Sequence, residues 1–175
     1  MGGPNKRIST NFIIIATIAV LAAVVGVLAV LNMQRAEGKL QQASQKEIIV
    51  TASGQTAATI TSQDLGSIKV QEFSAVQKSN GKSPIERTFK GAALIDVLEF
   101  KGVFVSDSAQ VVLSSIDGYA VTLSAAEVAD RDNIWLAWEM DGTALDENSG
   151  PYMVVVRKDA FSQRWAKQLC EIIVK

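Results

Sequence analysis

Histidine is absent from the chain, cysteine occurs once and proline three times. The first absence excludes the most. Without an imidazole there is no Ser-His-Asp triad, no Cys-His dyad, no histidine-ligated haem and no His-containing zinc site. The lone thiol, Cys170, permits neither an internal disulfide nor a Cys-x-x-Cys pair. The glycines form no GxxxxGK[ST] or GxGxxG phosphate loop, and there is no Asn-x-Ser/Thr acceptor site. Basic charge is also scarce where a polyanion would need it. Residues 36–175 hold 14 basic and 18 acidic residues, a net −4, so nucleic acid is not expected as a partner.

Apolar residues, by contrast, are concentrated. Hydrophobic residues make up 48% of the 175, with a mean hydropathy of +0.19. In Phe12–Leu31 only Thr17 and Gly26 fall outside the hydrophobic set. A helix of this length spans about 30 Å, the thickness of a bilayer's hydrocarbon core. A cleaved signal peptide would want an apolar core of about 7–15 residues and a small-x-small site. Here the run is longer and is followed by Asn32-Met33-Gln34-Arg35. We therefore expect an uncleaved, single-pass transmembrane signal anchor at 12–31. It follows a short head at 1–11 and precedes a polar linker at 32–46. Lys6, Arg7 and the amino terminus precede the span, whereas Arg35 and Lys39 after it are tempered by Glu37. The positive-inside tendency then leaves the N-terminus in the cytoplasm and the remaining domain outside the cytoplasmic membrane.

From 47 to 175 the texture is that of one α+β domain with mixed or mainly antiparallel sheets and short helices. Glu47–Ala52 reads as a strand ending at a Ser53-Gly54 turn, with Thr56–Ile60 as its partner. Thr61 with Asp64 signals one capped helical turn before Gly66. Strands are expected over Ile68–Gln77 and Ile85–Lys90, then a helix over Gly91–Lys101 stopped by Gly102. Gln110–Ser115 and Tyr119–Leu123 flank an Ile116-Asp117-Gly118 turn, and Ser124 with Glu127 opens another short helix. Asn133–Met140, the Asp141-Gly142 turn, Tyr152–Val156, a short helix over Phe161–Lys167 and a strand over Leu169–Val174 complete the series.

Four segments in this order carry a resemblance. They are FKGAALIDVLEFKGV at 89–103, VVLSSIDGYAVTLSAAEV at 111–128, LAWEMDGTALDENSGPYMVVV at 136–156 and RWAKQLCEIIV at 164–174. Together they resemble the sulfite-oxidase-type molybdopterin-binding domain, in a short stand-alone form. The resemblance implies a mixed-sheet fold, and in its catalytic members a molybdenum held by a cysteine thiolate upstream of the aromatic-x-Gly segment. The corresponding stretch here, Ser74–Thr88, contains no cysteine, and Met153 stands where the family often has arginine. Thiolate is the soft ligand such a metal requires. The expectation is therefore no catalytic residue, no metal and no cofactor, in a binding or accessory module beside a membrane redox system. An active molybdopterin oxidoreductase with atypical ligation, and a partner-binding subunit of a membrane complex, are the alternatives.

The candidate pocket residues are Asp117, Gly118 and Tyr119 at one turn, Gly150 and Tyr152 at another, together with Trp138 and Arg87. Two turns converging on one cleft would favour ligand binding. A side-chain-filled surface there would favour protein contacts. Cys170, alternating with Ile172 and Val174, is expected in the core. Of Trp135 and Trp138, offset by three along a strand, one is expected in the core and the other less buried. Asp130-Arg131-Asp132 and Asp141, Asp146 and Glu147 do not match a calcium loop.

Overall fold

A computed structural model of the chain describes residues 17–31, 33–34 and 46–175. The chain separates into two units, 1–38 and 39–175. In the first, residues 17–31 are helical with exposed side chains. Among the described residues no helix is long and apolar enough to cross a membrane. Residues 12–16 of the expected span, the head at 1–11 and nearly all of the expected linker lie outside the described residues.

The second unit has the expected α+β class, built on two five-stranded sheets. In the first sheet, β1 (Ile48–Ala52) turns through Ser53 and Gly54 into β2 (Gln55–Ile60). Both turn residues have positive φ, 52° and 77°, the paired left-handed geometry that suits the twist of a two-residue hairpin. Strands β5 (Gln110–Ser115) and β6 (Ala120–Ser124) form a second hairpin. Strand β10 (Leu169–Val174) lies between the two hairpins, antiparallel to β5 and parallel to β1, giving the order β2-β1-β10-β5-β6.

The second sheet runs β3 (Gln71–Gln77), β4 (Ile85–Ala93), β7 (Ile134–Met140) and β8 (Thr143–Ala144), with β9 (Met153–Val156) also on β7. Asp141 and Gly142, at φ 52° and 78°, make the β7–β8 turn. Short helices α1 (Ser62–Leu65), α2 (Leu94–Phe100) and α3 (Ala125–Ala129) link the strands. Thr61 and Ser124 cap α1 and α3, each with the reciprocal carboxylate, Asp64 or Glu127, bonding back to the cap backbone.

One hydrophobic core draws on both sheets. Helix α2 contributes Leu94, Ile95, Val97 and Leu98, all buried, each contributing about 1.5–3 kcal/mol relative to exposure. Phe73 stacks on Trp135 at 4.4 Å between centroids and on Phe89 at 5.5 Å, and Trp165 meets Phe89 edge-on at 5.6 Å. Cys170 is fully buried with Ile172, as its alternation implies, and its Sγ lies 3.4 Å from the Ser114 carbonyl.

Three local expectations change. β3 begins at Gln71 rather than Ile68. Residues 91–93 extend β4 instead of opening the helix, because Gly91 to Ala93 pair with Ala137 to Trp135 of β7. The helix expected over Phe161–Lys167 shrinks to a 3-10 turn at Ser162–Arg164. There, burial and pairing override helix propensity. Trp165 enters the core and donates from Nε1 to the Val156 carbonyl at 3.1 Å, and Ala166 exchanges backbone bonds with Val154.

Candidate functional site

The two sheets are tied together at one end by a ladder of loop contacts. Ile116 N–H donates to the Gln168 carbonyl at 3.1 Å, and Gln168 N–H donates to the Ser149 carbonyl at 2.9 Å. Leu169 N–H donates to the Tyr152 carbonyl at 2.9 Å. The β5–β6 turn, the β8–β9 loop and the entry to β10 are thereby fixed relative to one another. Between them opens a cleft of about 940 Å³, within the usual size range of small-molecule sites.

Asp117, Trp138, Gly150 and Tyr152 are all in its lining, so the two turns singled out in the sequence converge on one cleft. Asp117 Oδ1 accepts the Tyr119 N–H at 2.9 Å, which holds the carboxylate in place. Gly118, at φ 88°, completes that turn. Tyr152 is buried, and its Oη donates to the Lys46 carbonyl at 3.1 Å. Burial pushes the Tyr152 phenol above its ordinary value of 10.0, so it stays neutral and a donor at physiological pH. Gly150 is closely packed. A Cβ there would meet Leu145 Cβ and the Leu145 carbonyl oxygen at 3.0 Å and the Asp146 carbonyl oxygen at 3.1 Å.

Gly118, Tyr119 and Arg87 are not among the lining residues. Tyr119 instead donates from its hydroxyl to the Gln163 carbonyl. Arg87 pairs with Asp141 across the sheet at 2.6 Å. The Thr88 N–H, with the Arg87 guanidinium, holds the Asp141 carboxyl below its ordinary value.

No local pattern marks several of the wall residues: Lys46, Leu65, Val70, Lys90 and Gln168. They come from distant elements, and only the assembled sheets bring them together. Gln168 has positive φ, 48°, an uncommon conformation for a residue that is not Gly, Asn or Asp. Its Nε2 donates to the Glu147 carbonyl at 2.6 Å, bracing the β8–β9 loop.

The lining combines apolar and aromatic surface with six charged side chains: Lys46, Lys90, Asp117, Glu139, Asp146 and Glu147. Lys90 Nζ is already held by Glu139 Oε1 at 3.0 Å. Such a cleft suits a flat heterocycle, with half-buried Trp138 offering ring surface, buried Tyr152 backing the wall and the carboxylates accepting N–H donors. A soft metal finds less. Among the described residues no group of His, Cys, Asp and Glu is arranged to hold a metal ion. Cys170, the chain's only thiol, is fully buried and outside the lining.

No curated protein matches the chain. Among solved structures it is similar to the sulfane dehydrogenase SoxCD from Paracoccus pantotrophus, with a TM-score of 0.60 at 15% identity. The similarity covers 73% of this chain and 37% of that one, and at this identity it establishes a shared fold. The family described as an oxidoreductase molybdopterin-binding domain matches residues 36–175. That match corrects the expectation of no cofactor, which rested on the missing thiolate and imidazole. Those residues speak to metal ligation, whereas the family matched over residues 36–175 is that of a molybdopterin-binding domain. In sequence and in fold, this chain belongs to the oxidoreductase molybdopterin-binding domain family.

Proposed function

We propose that this protein is a membrane-tethered, extracytoplasmic module that holds a molybdopterin-type cofactor in the cleft without a protein thiolate, as an accessory to a membrane redox system. The observation that carries it is the cleft itself: about 940 Å³, with Asp117, Trp138 and Tyr152 in its wall and the only cysteine outside it. Trp138 presents ring surface to the heterocycle, and buried Tyr152 supports the wall behind it. Asp117 accepts its N–H groups, and Gln168 keeps the β8–β9 loop in register. When bound, such a cofactor supplies the redox centre, and the protein supplies binding, orientation and electrostatics.

The tether rests on the apolar run Phe12–Leu31 and its basic flank. An anchor raises the domain's effective concentration beside membrane partners without requiring tight binding. Exposed Phe100 and Phe104, the latter 79% exposed, support protein contact as a companion role.

The test is pterin and metal analysis of full-length protein purified in detergent, for the natural sequence and for Cys170→Ser. Pterin retained in both is the expected result. Pterin lost in the folded Cys170→Ser variant would overturn thiolate-free holding. Protease added to cells stripped of outer layers should degrade the domain, and its protection would overturn the extracytoplasmic assignment.

A further inference from the structure

The electrostatics of the cleft are unusual for a site facing a phosphorylated ligand. Of its six charged side chains, four are carboxylates and two are lysines. One lysine, Lys90, sits directly across the strand pair from Glu139 and is neutralised by it. That leaves Lys46 against Asp117, Asp146 and Glu147. Among the described residues no arginine lines the cleft, so the planar, bidentate phosphate fork is missing. In the β8–β9 loop, the Gly150 and Ser149 N–H groups both turn inward to the Asp146 carbonyl, at 2.7 and 3.1 Å, so neither is free for a phosphate.

We infer that the cleft recognises the heterocyclic end of its ligand and discriminates against anionic groups, so that a phosphate ester weakens binding rather than anchoring it. This rests on the pterin-binding reading above and deepens it by stating the charge class of the ligand. The site is the aromatic-walled cleft, and the three carboxylates at Asp117, Asp146 and Glu147 set its preference. A pterin ring offers N–H donors to carboxylates. A phosphate offers only acceptors and negative charge, to which the same groups are repulsive. A phosphorylated cofactor is then held with its phosphate directed away from these carboxylates.

The experiment is calorimetric titration of the full chain in detergent with neopterin and with its monophosphate ester. It is run at low and high ionic strength, with Trp138→Ala as the control that binding is in the cleft. Neopterin should bind roughly tenfold tighter than the ester at low salt, the size expected of one or two uncompensated charges nearby. The gap should narrow at high salt, where the Debye length falls to about 3 Å at 1 M. The combined variant Asp117→Asn, Asp146→Asn, Glu147→Gln keeps side-chain acceptors and should bring the two ligands to parity. An ester that binds as tightly as neopterin at low salt, in a Trp138-dependent way, overturns the charge preference and leaves the pterin reading standing. Loss of the gap in the salt series alone is decisive if the combined variant does not fold. Failure of both ligands to bind, or binding unaffected by Trp138→Ala, overturns the pterin reading as well.

Discussion

A methyl group placed on Gly91 would lie 2.2 Å from the Leu136 carbonyl oxygen and 3.0 Å from Ala137 Cα and the Leu136 carbonyl carbon. All of these are backbone atoms of β7, which cannot turn aside as a side chain would. Gly91→Ala should therefore lower stability by roughly 2–4 kcal/mol, read as a fall in the urea midpoint with little change in slope. In sequence, this glycine passes for the start of a helix. Its real function is to let β4 and β7 approach, a requirement set by a residue 45 positions away. Asp117, Trp138, Gly150 and Tyr152, by contrast, announce themselves locally through turn chemistry and aromatic placement. Arg87 and Tyr119 sit close to such signals in sequence yet spend their polar groups on Asp141 and on the Gln163 carbonyl.

At the scale of single elements, α1 depends on its cap, since four residues cannot sustain a helix alone. Burial by itself would raise the Asp64 carboxyl. The Thr61 N–H, Lys101 and the Thr61 hydroxyl outweigh it and bring the group below its ordinary value of 3.8. A carboxyl lowered in the folded state stabilises it above pH 3.8, and that contribution fades as pH falls through the lower folded value. Asp64→Asn should cost about 1 kcal/mol near neutral pH and flatten the loss of stability at acid pH, followed by thermal melts across a pH series. The capping boxes at Thr61 and Ser124 and the hairpins at Ser53-Gly54 and Asp117-Gly118 were legible because their determinants lie within four residues. The stretch 165–167 was not, because a buried Trp165 and the Ala166–Val154 pairing decide it from outside.

Across the whole molecule, the parallel pairing of β1 with β10 is the least local feature. The Thr51 hydroxyl meets Glu171 Oε1 at 3.3 Å, 120 residues along the chain. Fold class was legible from strand texture and turn spacing, but no local pattern states which strand lies between the hairpins. Nor does any local pattern place Lys46, Leu65 and Gln168 around one cleft. A chain stopped after Gln168 leaves β1 and β5 as unpaired edges and removes Leu169, Cys170, Ile172 and Val174 from the core. It should lose cooperative unfolding and aggregate, seen as absent near-ultraviolet dichroism and material in the void volume.

The central position of β10 also sets an order of events in time. Two hairpins, β1–β2 and β5–β6, can close as soon as their own residues are available, but the sheet that joins them waits for the strand made last. Until residues 169–174 emerge, neither half has a partner across the middle and the cleft has no wall at Gln168. Closure of this sheet, and with it of the cleft, is therefore a late event that follows the two hairpins.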